Sequence, residues 1–388
     1  MSPGTIKGRK MTAEIQGYCD VSFSPLRDAF LANFENGLEI GASFAATYRG
    51  RMVADMWAGY ADSGRTRLWE QDTIVPVAST TKIILMIGVL IVIERGLLDL
   101  DAPVARYWPE FAQGGKEAVT VRDALTHQAG VPGFEVPLTS AEVCDWTAAT
   151  GRIAAERHWF GGERRICYHA LTYGFLIGEL IRRVDGRRPR QFLSEEIFDK
   201  VGADFQIGLS SRAELSRMAM PALPAGAFKL NGIAGKLLNC VDRTDSASWE
   251  RMSSENPGVV GYGNGRAIAR ACAILANSGE FNGVRILLPE TIALAGAEHA
   301  YGPCPYLGQM RLGLGFGIDS KEFPAPTPTS MHWGGFGGSW GLMDPKAAFS
   351  LGYTPNNWIV PDVSSGQFAI DRRLARFMDA LSELLPTL

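Results

Sequence analysis

The chain has 388 residues, 46% of them hydrophobic, and a formal net charge of −3. That is enough apolar material for a large core in two or three domain-sized units, and too balanced a charge to favour a nucleic-acid or other polyanionic partner. Six widely spaced cysteines without a C-x-x-C pair (Cys19, Cys144, Cys167, Cys240, Cys272 and Cys304) argue for reduced thiols and against a disulfide frame or a zinc site.

The N-terminal MSPGTIKGRKMTAEIQ has no apolar core of the signal-peptide kind, and residues 1–20 read as a loose lead-in. Ser24–Asn36 (SPLRDAFLANFEN) offers a capping serine and a proline at the first helical position, followed by helically spaced apolar residues. Ala42–Tyr48 and Met52–Ala58 read as two strands of a hairpin turned at Gly50-Arg51. Next comes Val77–Arg95 (VASTTKIILMIGVLIVIER), a buried helix carrying Ser79-Thr80-Thr81-Lys82 near its N-terminus. Its apolar run, Ile83–Ile93, falls short of the ~20 residues that span a bilayer, so a soluble, cytoplasmic protein without a membrane partner is expected.

Leu97–Phe111 is punctuated by proline and reads as a surface wrap. Thr120–His127 reads as a short helix with Gly130 just past its end. His127 there is a candidate base or, more commonly at such a place, a cap on helix carbonyls. Residues 133–165 carry no clear period. Tyr168–Val184 (YHALTYGFLIGELIRRV) is a second apolar helix stopped by Asp185-Gly186. Arg182, Arg183, Arg187, Arg188 and Arg190 follow without interleaved aromatics, as a solvated helix end does and a nucleic-acid site does not. Residues 205–260 read as loops and short helices lining a pocket, and Gly265–Gly279 as an amphipathic helix. From Leu312 the texture is that of antiparallel strands, at Met331–Trp333, Ser339–Met343 and Ala348–Tyr353, before a closing helix at Gln367–Leu385. The expected fold class is α+β: a sheet domain built from residues 1–95 and 262–388, an inserted mainly helical domain at 96–261, and the site at their junction.

Ser79 and Lys82 lie three apart, on one helix face. Serine becomes a nucleophile when a neighbouring base takes its proton, and a lysine serves if burial lowers its pKa. The helix N-terminus also offers backbone N–H groups to a developing oxyanion. Three motifs then line up: Ser79-x-x-Lys82, Tyr168 at the head of the second apolar helix, and Trp333-Gly334-Gly335-Phe336-Gly337-Gly338-Ser339. In this order they resemble the S-x-x-K, Y-x-N and K-T-G motifs of the serine β-lactamase and penicillin-binding-protein superfamily. The W-G-G form of the last is similar to that of the β-lactamase-like family VIII carboxylesterases. The likeness runs from about Gly41 to Tyr353 and includes GLLDLDAPVARYWPEF, TVRDALTHQAGVP and GGSWGLMDP.

The resemblance implies a β-lactamase-like fold, Ser79 as nucleophile, and Lys82 with Tyr168 as its base system. It also implies an oxyanion hole from the Ser79 and Phe336 amides, and Trp333, Gly334 and Gly335 along the substrate. It calls for no cofactor or metal. Two departures bear on the substrate. Tyr168-His169-Ala170 lacks the asparagine of Y-x-N, and Trp333 replaces the cation that would hold a β-lactam carboxylate. Small neutral carboxylic esters are therefore the expected substrates. The alternatives are acyl transfer to an alcohol on the same fold, β-lactam or D-amino-acid amide hydrolysis, and a non-catalytic binding role. The rival G-x-S-x-G at Gly337–Gly341 needs a strand, a sharp turn and a helix, whereas strand-like residues follow it here.

Overall fold

The computed structural model describes residues 14–224, 232–238, 240–242, 247–305, 307–359 and 371–388. Its frame is a nine-stranded antiparallel sheet. From edge to edge the strands are Gln16–Cys19, Arg51–Gly59, Gly41–Tyr48, Phe349–Pro355, Trp340–Asp344, Met331–Gly334, Gly317–Ile318, Gly308–Leu312 and Ala300–Cys304. Chain order and sheet order differ at the centre, where Gly41–Tyr48 pairs with Phe349–Pro355 and joins the two ends of the chain.

One face of the sheet is covered by the first and last helices, Ser24–Glu35 and Arg372–Leu384, which pack on each other. Phe30, Phe44, Phe349, Tyr353 and Phe377 fill the layer between. The other face receives the Gly265–Ala276 helix. Its approach is close because small residues meet: a Cβ on Gly352 would lie 2.2 Å from the Gly265 carbonyl oxygen. Beyond it the Thr81–Glu94 helix runs buried almost throughout, from Thr81 to Val92, and packs against Thr172–Asp185. Burial on all sides follows from a segment apolar all round. A small sheet of Val75–Pro76, Gly261–Gly263 and Phe205–Ile207 leads directly into it, and a two-stranded ribbon, Glu280–Phe281 with Val284–Arg285, stands apart.

Several sequence expectations need correction. Gln16–Cys19 is an edge strand, not loose lead-in, while residues 1–13 lie outside the described residues. Ser24 is the first helical residue, after a 3₁₀ turn at Val21–Phe23, and makes no capping bond. Leu97–Phe111 does run along the surface, with Asp99, Asp101, Arg106 and Glu110 exposed, but Leu98, Val104, Trp108 and Phe111 anchor it in the core. The sheet also extends through Ala300–Cys304 and Gly308–Leu312, ahead of the expected start. The closing helix begins at Arg372, and the expectation for residues 367–370 lies outside the described residues. Arg182, Arg183, Arg187 and Arg188 are each ion-paired, to Glu179, Glu110, Asp185, Glu195, Glu196 and Glu255. This neutralises the basic cluster. Among the described residues no helix is long and apolar enough to cross a membrane.

Candidate active site

Ser79 sits in a 3₁₀ turn, Ala78–Thr80, immediately ahead of the Thr81–Glu94 helix. The strand before it is anchored by Val77 N–H donating to Gly261 O at 2.9 Å. Ala78 adopts φ +45°, left-handed for a residue with a Cβ. Strain of that kind persists only where the surroundings impose it, and it clusters at functional sites.

Lys82 lies one turn on and is 1% exposed. Its Nζ stands 3.1 Å from Ser79 Oγ, 2.9 Å from Ala170 O and 2.9 Å from Gly258 O. Burial drives its pKa well below the usual lysine range. The neutral amine has two N–H bonds and one lone pair. Carbonyls only accept, so the two N–H bonds go to Ala170 and Gly258. The lone pair is left facing Ser79 Oγ, where it can take the hydroxyl proton.

Tyr168 shares the cleft with Ser79, and its ring centroid is 5.0 Å from Lys82 Nζ. It does not open a helix, as expected from sequence. The helix starts at Thr172, and Tyr168–Leu171 form a preceding turn. The Ala170 carbonyl that an earlier helical start would use internally is the one that accepts from Lys82. Behind Tyr168, His127 lies edge-on at 5.0 Å and Trp333 at 5.7 Å. The His127 side chain does not cap helix carbonyls, although its left-handed backbone ends the Val121–Leu125 helix, with Gln128 N–H donating to Asp123 O at 2.7 Å. His127 is fully buried with φ +61°, and its Nδ1 accepts from the His169 amide at 3.2 Å. His169 is buried too, with Nδ1 2.7 Å from Cys167 O. Burial holds both rings in the neutral form, His127 well below the ordinary histidine range and His169 down to about 3.

Trp333 and Gly334 end the Met331–Gly334 strand, and Gly335–Ser339 turns into the next strand. The two glycines differ. A Cβ on Gly335 would lie 2.2 Å from Val77 O and 3.0 Å from Thr80 Oγ1, so glycine there lets this turn seat on the Ser79 turn. A Cβ on Gly334 would meet nothing closer than 3.6 Å. The turn is pinned further: Ser339 Oγ donates to Val77 O at 2.7 Å and lies 2.8 Å from Thr80 Oγ1. Ser339 is thus occupied and buried, and a strand follows it rather than a helix. Ser79, Tyr168, Trp333, Gly334, Gly335 and Phe336 all line one cleft of about 860 Å³, with Lys82 beneath its floor.

Three features escaped the reading of the sequence. The two carbonyls that fix Lys82 belong to the backbone and have no side-chain signature. Asn256 ties their loops together, Nδ2 donating to Leu171 O at 3.1 Å and Oδ1 accepting from Gly258 N at 3.0 Å; the Asn256-Pro257-Gly258 turn was its one visible trace. Arg373 is fully buried, donating to Gly337 O at 2.8 Å and Asn357 O at 2.7 Å, with Asp371 as counter-charge and Glu39 at 3.3 Å. Among the described residues no group of three or more His, Cys, Asp or Glu side chains could hold a metal ion.

The family model described as Beta-lactamase matches residues 30–372 of the chain. The chain is 29% identical over 365 residues to the esterase/beta-lactamase LipL of Mycobacterium tuberculosis, covering 89% of this chain and 83% of that protein. It superposes with a TM-score of 0.86 on the crystal structure of a family VIII carboxylesterase, at 34% identity over 96% of this chain and 100% of the other. A penicillin-binding protein homologue from Caulobacter crescentus is similar to the same degree, with a TM-score of 0.86 and 33% identity over 96% and 100% of the two chains.

Proposed function

The chain belongs to the Beta-lactamase family of serine hydrolases, and from that premise we propose that it cleaves neutral carboxylic esters, small ones such as p-nitrophenyl butyrate among them, through an acyl-enzyme on Ser79. The observation that carries this reading is the Lys82 amine: buried, without a carboxylate partner among the described residues, its N–H bonds directed at Ala170 and Gly258, which leaves its lone pair for Ser79 Oγ. Ser79 Oγ attacks the ester carbonyl as its proton passes to Lys82. The Ser79 and Phe336 amides receive the oxyanion. Lys82 and Tyr168 return the proton to the leaving alcohol, and water, deprotonated by the same pair, releases the acid. The esterase names of the related proteins support the substrate class.

Trp333 supports a neutral substrate. Its ring forms cleft wall where a β-lactam carboxylate would want a cation, and an unpaired carboxylate there would lose several kcal/mol of hydration. One observation favours a second reading, β-lactam hydrolysis. Arg251 lines the cleft and its guanidinium has no hydrogen bond or ion pair among the described residues, and a substrate carboxylate could use it. Comparing kcat/KM for p-nitrophenyl butyrate and nitrocefin decides between them. The ester should lead by at least ~100-fold, as losing a charge-assisted contact implies; equal or faster nitrocefin turnover overturns the esterase reading.

A further inference from the structure

The acyl-transfer chemistry leaves the size and lining of the cleft unexplained. Its volume of about 860 Å³ lies toward the upper end of the ~300–1,000 Å³ that ligand pockets span, and a small ester would fill only a fraction of it. Five of the chain's 12 methionines line it: Met218, Met220, Met252, Met310 and Met378. Methionine is unbranched and polarisable, and it adapts to apolar partners of differing shape.

The wall from Met218 to Leu223 is the most telling part. Met220 and Leu223 are 48% and 46% exposed, yet the backbone that carries them is firmly held. Ala219 N donates to Ile74 O at 2.7 Å, Met220 N to Ala61 O at 3.1 Å and Ala222 N to Asn356 O at 2.7 Å, and Trp358 N donates back to Ala222 O at 3.0 Å. Their exposure is therefore built in, and apolar surface held open in a cleft marks a binding face. Beside it, next to the bridge between Ala222 and Asn357, the rings of Phe336 and Trp358 meet edge-on at 5.9 Å.

We infer that the preferred ester carries a bulky apolar group of about eight carbons or more, received in the cleft against the Met218–Leu223 wall and Trp358. This rests on the ester-hydrolase reading above. Acyl chain and alcohol share this chemistry, so the test has two arms. One measures kcat/KM for p-nitrophenyl esters from acetate to dodecanoate, below their micelle concentrations; the other uses acetates of alkanols over the same lengths. Each buried methylene can contribute up to about fourfold. At least one series should therefore rise at least ~10-fold to a maximum at about eight carbons or beyond, and the series that rises says which part of the ester fills the wall. Maxima below that length in both series overturn the inference.

Met220→Asp and Leu223→Asp, at half-exposed positions, should each lower the long-to-short ratio at least ~5-fold; an unchanged ratio overturns the assignment of this wall. The failure of the underlying reading looks different: no ester of any length turned over, and no fluorophosphonate adduct on Ser79. Turnover with a short-chain preference sinks the inference alone.

Discussion

Burial depresses the Lys82 pKa well below the 10.5 of the unfolded chain. Between those two pKa values the unfolded state binds a proton that the folded state does not. This residue's contribution to stability therefore grows as pH rises toward 10.5 and falls as pH drops. The melting temperature of the native chain relative to Lys82→Met should accordingly climb between pH 7 and 10, and a constant difference would mean that Lys82 is charged in place. Ser79→Ala should lower kcat by ~10⁴-fold or more, while Ser339→Ala, which loses two structural hydrogen bonds, stays within about tenfold of the native rate. Lys82 and Tyr168 are proposed to act on one proton, so their double variant should be little slower than the worse single one. Additive losses in log kcat would separate them. Ser79, Lys82 and Tyr168 were legible in the sequence because motif spacing survives without knowledge of the fold. Arg373 was not, since its partners Gly337 and Glu39 lie 36 and 334 residues away.

At the scale of elements, the Gly335–Ser339 turn is set by what it rests on. Gly335→Ala would drive a Cβ into Val77 O, whereas Gly334→Ala makes only ordinary contacts, at 3.6 Å and beyond. The first should cost ~100-fold or more in kcat by shifting the Phe336 amide, and the second should leave the fold intact and act mainly on KM. Equal effects on kcat would show that the turn does not bear on Ser79. Arg373 holds the same turn from behind through Gly337 O. Its neighbour Glu39 is pushed up to about 8 by burial, so its stabilising share is complete below ~4.5 and fades as pH rises through 8. Glu39→Gln should flatten that decline, as thermal melts across pH 5–9 would reveal. Dense apolar runs made the Thr81–Glu94 helix and the strands around Trp333 and Met343 readable. Ala300–Cys304 (AYGPC) and Gly308–Leu312 (GQMRL) hold Gly, Pro and an arginine, and they are strands only because sheet neighbours supply their hydrogen bonds. The start of the second apolar helix was misplaced for a related reason: its period runs on through Tyr168, but a lysine 88 residues away claims the Ala170 carbonyl.

Across the whole molecule, both ends of the chain build the large sheet, and the segment between them brings Tyr168, Ala170 and Gly258 to the Ser79 helix. No single stretch contains the site, so its outline could be read from spaced motifs, but the volume and lining of the cleft could not. Turnover is proposed to pass through an ester bond to Ser79. Rapid quenching of the enzyme with p-nitrophenyl butyrate, followed by peptide mass mapping, tests it most directly. A butyryl adduct on the peptide containing Ser79, formed with a burst of nitrophenolate and absent from Ser79→Ala, is the predicted result. An adduct on Ser339, or undiminished ester turnover by Ser79→Ala, would contradict it.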